Sequence, residues 1–509
     1  MRTFLILGTM LGAAALIANL PGCWSSSCTD TETCAVPDGG AEGGDGSALD
    51  GGPGDGGGGD VAPPGCDADP KDSPACVDDT LGVFVSPTGS DATGAGTKAL
   101  PVATIAHAVS LTTSAKSRVY VCEGAYPAAI SLDATHDGVS IYGGFDCTSW
   151  AFASKSVKIA PAASAAAPPA LKITGFTKAA SFEDLEVDAP NGTAPGDSSI
   201  AALVTGSIGI TFKRVVLAAG TGVTGTSGTA GAVGTPTPAD LSGIVGGGTG
   251  SVFDKACTCS NGGTTTGGVG GVGLMGNGND GKVAQVTPSP ATATGKGGTA
   301  LECPSSIGGR NGSDAPVGGD APKLTSSGKF DATGWHPANG TTGVSGAPGQ
   351  GGGGGGSVAA GAQGGGGACG GCGASGGAGG TGGGASIALA VLSSTVTVNA
   401  STLSTKKAGD GGGSAGGGTG QTGGLHGNAT GAGCQGGNGG AGGNGGAGSG
   451  GSGGIAVGVL YSGTKPTVDP GTTAAITLGG AGAAGAGGKT PALDGKPGLA
   501  APVQDATLL

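Results

Sequence analysis

Aromatic residues, arginine and histidine are all scarce in this sequence, and no long apolar run follows its first twenty residues. Sixteen aromatics among 509 residues are too few to fill ordinary cores along the whole length. Arginine occurs only as Arg2, Arg118, Arg214 and Arg310, and 34 acidic against 22 basic residues give a formal charge of −12. Without a clustered basic face, nucleic acid is excluded as a partner. The four histidines, His107, His136, His336 and His426, have no cysteine or histidine partner at metal spacing, and no serine elbow accompanies them. The sequence therefore points to no catalytic residues, no metal and no cofactor.

What the chain has instead is glycine, 122 residues of it. Glycine buries no side chain and loses the most conformational freedom on folding. The richest stretches must then be loops, linkers or closely stacked turns, and a core has to come from scattered Val, Ile, Leu and Ala. From position 23 to 80 the chain is mostly Ser, Thr, Asp, Gly and Pro, the composition of a flexible acidic tether.

The first residues read as an export signal: Arg2 supplies the positive end, Phe4 to Leu20 the apolar stretch, and small residues precede Cys23. This stretch is short for a membrane span. Leu20-Pro21-Gly22-Cys23 resembles the bacterial lipobox, in which the cysteine thiol receives a diacylglyceryl group, although Pro21 departs from the usual small residue. The resemblance implies a lipid anchor at Cys23 and a place in the cell envelope, as an outer-membrane or cell-surface lipoprotein. The other reading is an ordinary cleaved signal with Cys23 in a disulfide. Thirteen cysteines less Cys23 leave twelve, an even number suited to an oxidising compartment. Local spacing suggests Cys28 with Cys34, Cys66 with Cys76, Cys122 with Cys147, and some pairing among Cys257, Cys259 and Cys303. Cys369-Gly-Gly-Cys372 has redox or zinc spacing, but it stands alone in a glycine tract. A local Cys369–Cys372 disulfide loop is the expectation.

Order is expected from Gly82. Val83 to Val85 reads as a strand, Pro101 opens a helix whose Ile105, Ala108 and Val109 share a face, and short strands follow at 118–122, 129–132 and 139–142. The segment from Val83 to Tyr126, with Gly89-Ser90-Asp91, Gly96-Thr97, Pro101, Thr104-Ile105, Ala108 and Gly124-Ala125-Tyr126 in order, followed by GVSIYGGFD and Trp150, resembles the N-terminal module of bacterial pectate-lyase-like parallel β-helix proteins. The match covers about seventy residues and implies fold and surface location, not a reaction.

An internal repeat points the same way. The stretch from Ser199 resembles that from Ser386 once one residue is inserted, so that Ile200 meets Ile387, Val204 meets Val391, Ile208 meets Val396 and Ile210 meets Val398; a weaker copy starts at Ile455 and resumes at Ile476. Each copy is two short strands followed by a glycine-rich excursion, the pattern of a coil with a long loop leaving one corner. FEDLEVD from Phe182 supplies a further strand with Phe182, Leu185 and Val187 inward. The tracts Gly346 to Gly384 and Gly409 to Gly454 resemble PGRS-type repeats of bacterial surface proteins, and their GGxGG runs read equally as stacked extended turns or as disorder.

The expected fold is thus all-β: a right-handed parallel β-helix solenoid with a short N-terminal capping helix and long glycine-rich loops, preceded by a disordered tether. Its divisions are a signal at 1–22, the tether at 23–80, a capping module at 81–150, the solenoid at 151–500 with loop-rich parts at 245–384 and 409–454, and a tail at 501–509. Glu183, Asp184, Glu186 and Asp188 are the densest carboxylates of the body; they read as a calcium or sugar stripe or, in the blander view, as a solvated face. Gly276 to Asp280 resembles half of a calcium-binding nonapeptide, but Lys282 stands where an apolar residue should follow and no second copy completes it. The functional expectation is a lipid-anchored, non-enzymatic surface or adhesion protein that meets the membrane through its lipid and other surface components or extracellular polysaccharide. The alternative is a polysaccharide-binding or polysaccharide-cleaving protein.

Overall fold

The computed structural model describes residues 66, 69–164, 168–247, 254–285, 293–301 and 308–509. Expectations that fall on Cys23, Cys28, Cys34, Cys303, the signal and most of the tether lie outside these residues. The described chain is all-β with few helices. Three parallel sheets of seven, six and five strands carry its body, and they are visited in rotation. Ile130–Leu132 lies in the six-stranded sheet, Ser140–Phe145 in the seven-stranded and Val157–Ile159 in the five-stranded. Leu171–Thr174, Ala180–Glu183 and Glu186–Asp188 then repeat the circuit, as do Ser199–Thr205, Ile210–Lys213 and Val216–Ala218. Ser386–Leu392, Val396–Asn399 and Thr402–Ser404 make the next, and Ala456–Ser462 with Thr467–Val468 follow.

Parallel pairing in register stacks like side chains into columns. Val83, Val119, Ile141, Phe182, Phe212 and Val398 form one such column through successive strand pairs. All six are buried, and the Phe182 and Phe212 rings lie 5.5 Å apart. The repeat stacks directly, with Ser199 opposite Ser386 and Ile200 opposite Ile387, and the third copy joins with Ile387 opposite Val457. Its second half is shifted from expectation. Ile210 pairs with Val396 and Phe212 with Val398, because the turn after Leu392 is one residue shorter than its counterpart, not longer. Ile208 is left in the longer counterpart turn, between Thr205 and Ile210, 52% exposed.

Strands Ser199–Thr205 and Ser386–Leu392 are buried along nearly their whole length, since this part of the six-stranded sheet is covered on both faces. One face enters the coil; on the other, Ile200, Leu203, Ile387 and Leu460 pack against Trp335. Trp335 belongs to the antiparallel hairpin of Gly328–Asp331 and Gly334–Pro337. Burial on both sides explains their nearly continuous apolar sequences.

Several boundaries differ from the sequence reading. The capping segment is continuous with the coil, because Gly82–Val85, Arg118–Cys122 and Ser140–Phe145 are themselves strands of the seven-stranded sheet. Its helix, Ile105–Ser110, is capped by the Thr104 side chain accepting from the His107 N–H, with Ile105, Ala108 and Val109 buried. The end of the supposed tether packs against this segment: Cys66, Cys76 and Val77 are buried, and Tyr120 Oη donates to the Cys76 carbonyl. The supposed tail from 501 is mostly strand Ala500–Asp505, paired with Ala456–Ser462. Apolar Val503 and parallel pairing draw it into the sheet.

The glycine tracts are ordered. Gly340, Gly343, Gly346, Gly349, Gly352 and Gly355 donate in turn to the carbonyls of residues 380, 377, 374, 371, 368 and 365, all within 2.8–3.0 Å. Gly371, Ala374, Gly377, Gly380 and Gly383 donate to residues 440, 443, 446, 449 and 452. Gly366, Cys369, Ser375, Ala378, Thr381 and Gly384 donate to a third neighbour, residues 244 back to 223. Bonds at every third residue, with none inside a segment, are the mark of an extended helix of three residues per turn. Segment 364–384 is therefore the axis of a bundle of such helices, bonded to neighbours running in both directions. Glycine is needed on the facing rows: a Cβ on Gly367 would lie 2.0 Å from the Gly352 carbonyl oxygen.

All three long excursions leave the coil between a five-stranded and a six-stranded sheet position, after Val216–Ala218, after Thr402–Ser404 and after the bridge of Ser404 with Thr477. The first two therefore start at residues 219 and 405, earlier than the 245 and 409 that composition suggested, and the third follows Thr477. At about 3.1 Å per residue, segment 363–384 carries the bundle roughly 65 Å from that corner.

Candidate functional site

The sequence's densest carboxylates fall where the seven-stranded sheet turns into the five-stranded one. Glu183 ends its strand; Asp184 turns the corner in the left-handed region at φ 55°, and Arg214 occupies the equivalent corner one circuit on, also at φ 55°. Stacking brings the two corners together. Arg214 grips Asp184 with two bonds, Nε to Oδ1 at 2.9 Å and Nη2 to Oδ2 at 2.7 Å, and its Nη2 also reaches Glu183 Oε2 at 2.8 Å. A third carboxylate arrives from the N-terminal segment: Asp69 Oδ2 lies 2.7 Å from Arg214 Nη2 and 2.8 Å from Lys213 Nζ. Further along, Lys158 bridges Glu186 at 2.9 Å and Asp188 at 2.5 Å.

Burial and the neighbouring Asp69 carboxylate push the Glu183 carboxyl well above the ordinary glutamate value. Burial alone would raise Asp69 too, but hydrogen bonds from Lys213 and the Lys71 N–H and the charge of Arg214 hold it below the usual range. The corner thus raises the proton affinity of one carboxyl beside two cations. A cavity of about 240 Å³ adjoins it, lined by Lys155, Asp184, Glu186, Arg214 and Val216 among others. The chemical capacity is that of a carboxyl with raised proton affinity next to a guanidinium. Glu183 and Asp69 are nearly closed off, however, with side chains 7% and 9% exposed, and every cation in the cluster is already paired. The carboxylate stripe is thus a partly buried, cross-braced network, and the reading as a solvated face fails at Glu183 because stacking sets Lys213 opposite it and brings Arg214 and Asp69 against it.

The remaining carboxylates, expected singly in turns, mostly serve the backbone. Asp314, Asp320 and Asp410 Oδ1 accept the N–H groups of Ala441, Ala447 and Ala483 at 2.6–2.8 Å. Asn311 and Asn444 Oδ1 accept from Asn438 and Gly420. Each stands in for a carbonyl on a row of the bundle that lacks a neighbour. The sequence signal was an Asn or Asp in phase with the three-residue glycine period. Asn277 and Asp280 of the half-nonapeptide likewise accept the N–H groups of Ala300 and Gly297, and Asp280 also pairs with Lys296 Nζ at 2.7 Å. His426 Nδ1 is bonded to Asn438 at 2.9 Å, and His107 is half-buried on its helix. Among the described residues, no three His, Cys, Asp or Glu side chains converge as metal ligands.

The cysteines correct the sequence reading most sharply. Cys122 pairs with Cys147 as spacing suggested. Cys369 and Cys372 do not pair with each other; they join Cys257 and Cys259, with Cα separations of 6.2 and 5.6 Å. On a threefold helix residues three apart share a face but stand about 9 Å apart, beyond the roughly 7 Å limit of a disulfide. On strand Lys255–Cys259 residues two apart share a face. A CxxC on one and a CxC on the other therefore meet as two parallel bridges. Cys434 is also disulfide-bonded. Cys66 and Cys76 are not bridged to one another; the Cys76 thiol donates to Ser73 Oγ at 3.5 Å.

No family model, curated protein or solved structure matches the chain.

Proposed function

We propose that this chain is an exported, non-enzymatic surface protein, anchored by lipid at Cys23 in the cell envelope, whose body is a right-handed parallel β-helix and whose glycine bundle is the part presented to other surfaces. One observation carries the reading: three excursions leave a single corner and unite in one hydrogen-bonded bundle, stapled to a side strand by two disulfides. Such a body holds reach and stiffness with almost no side-chain chemistry, which suits display and contact and not turnover. Three sheets visited in rotation support the β-helix, and the near-universal hand of parallel crossovers supports its right-handedness. Disulfides fit an oxidising compartment. The membrane is met through the lipid, and extracellular polysaccharide or other surface components through the bundle.

The test is metabolic labelling of cells with a fatty acid, with surface retention and cell adhesion measured beside it. Wild type is expected to carry label and promote adhesion, and Cys23→Ala to lose both label and retention. An unlabelled wild type overturns the anchor; a retained protein that leaves adhesion unchanged overturns the role.

A second reading, polysaccharide cleavage, is favoured by one feature, the convergence of Glu183, Asp184 and Arg214 on adjacent circuits beside a groove. It requires purified protein to shorten an acidic polysaccharide and Glu183→Gln to abolish that. Equal activity in the variant removes it.

A further inference from the structure

The outer face of the seven-stranded sheet carries its own column, in which Phe84, Tyr120, Tyr142, Glu183, Lys213 and Asn399 follow one another through successive strand pairs. Residues 69–77 fold back on this face as a flap, and two different kinds of contact hold it. Its base is packed: Val77 belongs to the buried cluster of Phe84, Tyr120, Phe145 and Trp150. The Cys76 carbonyl accepts from Tyr120 Oη, and the Cys66 carbonyl from Arg118 Nη2. Its other end is held by charge, with the Asp69 carboxylate on Lys213 Nζ and Arg214 Nη2 at 2.8 and 2.7 Å. Residues 71–75 between them are largely exposed.

The charged end is crowded. Glu183 Oε2 lies 2.8 Å from the same Arg214 Nη2, so Asp69 and Glu183 meet at one nitrogen, and Asp184 grips that guanidinium as well. The groups facing Glu183 are Asp69 from the flap, Lys213 and Arg214 from the next circuit, Tyr142 from the preceding one and Asp184 beside it. Three carboxyls therefore share two cations. With all three ionised, one negative charge is left over where water scarcely reaches, and a proton on Glu183 removes that excess and gives Asp69 a donor. Among these groups Asp69 alone is free to move away. Glu183 and Lys213 lie in paired strands and Asp184 and Arg214 follow them directly, whereas Asp69 stands outside every strand. We propose that residues 69–75 are a pH-sensitive flap, closed on the coil while Glu183 is protonated and opened at the Asp69 end when Glu183 ionises, with Val77 staying packed. Closure raises the affinity of Glu183 for its proton, so it is complete in acid and lost as pH rises; only below the usual aspartate range, where Asp69 itself takes up a proton, does acid weaken it. Opening bares Lys213 Nζ, whose closed-state ion pair is with Asp69. The device works whether or not Cys23 carries lipid.

The experiment is amide hydrogen exchange of the full chain from about pH 5 to about pH 8, corrected for the intrinsic pH dependence of exchange. It reads residues 71–73, whose N–H groups bond to the Asp69 side chain or carbonyl, against the coil strand Ser386–Leu392. Wild type is expected to protect the flap less than the strand throughout, and to lose about tenfold or more of the flap's protection over that range. Glu183→Gln keeps a neutral donor in place and is expected to hold the acid-range protection to the top of the range. Asp69→Asn, in a residue outside the strands, leaves the coil intact and is expected to lower protection at the acid end and remove the slope. Flap protection that ignores pH in wild type overturns the proposal, as does an undiminished slope in either variant. Flap amides that exchange no faster than Ser386–Leu392 also overturn it, because the flap then opens only with the whole coil.

Discussion

In the coil, Phe212 stands in a column between Phe182 and Val398, and backbone pairing is held in place by what the side chains bury. In the bundle, Gly367 donates to Gly268 at 2.7 Å while its own Cα faces the Gly352 carbonyl, and the side chain's absence lets the backbones meet. Both regions satisfy the same demand, that buried N–H and C=O groups be paired. The coil meets it with a period of two and an apolar face. The bundle meets it with a period of three and almost no face at all, so its stability rests on hydrogen bonds and close backbone packing, with the disulfides limiting the entropy of a glycine-rich chain.

That contrast can be broken from either side. The largest effect is expected in the coil: Phe212→Ala should cost about 3–5 kcal/mol, read as the midpoint of chemical unfolding. Next comes reduction. The two bridges from Cys257 and Cys259 close loops of more than a hundred residues, and losing either should cost about 2–4 kcal/mol. If the regions are distinct, hydrogen exchange after reduction speeds up at 366–384 while Ser386–Leu392 stays protected; equal acceleration in both would make them one cooperative unit. Gly367→Ala should cost about 1–3 kcal/mol by overpacking. Gly413→Ala, where the nearest neighbouring atom is 3.7 Å from the new Cβ, should be near neutral, both variants being read by thermal melting. Equal tolerance at both would mean that the bundle breathes enough to admit side chains.

The smallest effect is a pH dependence of the coil. Glu183 holds its proton more tightly folded than unfolded, so its contribution is fully present below the ordinary glutamate value of 4.5 and is lost as pH rises through and past it. Asp69 has the opposite sign, its contribution falling away in acid below its ordinary value of 3.8. The melting temperature should therefore peak in mildly acidic solution and decline toward neutrality, and Glu183→Gln should flatten the neutral side of the curve. An unchanged slope in that variant would move the cause elsewhere.

Much of the coil was legible because its signals are local or periodic. Ile105, Ala108 and Val109 follow helical spacing, Phe182, Leu185 and Val187 mark an inward face, and Ser199 announces Ser386. The charged corner was legible only in half. The FEDLEVD carboxylates stand out, but Arg214 and Asp69 lie 30 and 115 positions from Asp184, and only stacking and the folding back of the N-terminal segment join them. The register after Leu392 was misjudged because a turn shortened by one residue preserves the strand pattern while moving every partner.

By itself the sequence determined that the body is built of short strands and that its repeats stack. Only the tertiary structure decided that the glycine rows are a bundle and not a loose tract. A glycine segment has no preference strong enough to choose its own conformation, and its order arises when neighbours supply a carbonyl for every third N–H. The cysteines follow the same logic. Cys369 and Cys372 look like a pair in the sequence because they are close along the chain, and the threefold helix separates them to about 9 Å while presenting both to Cys257 and Cys259.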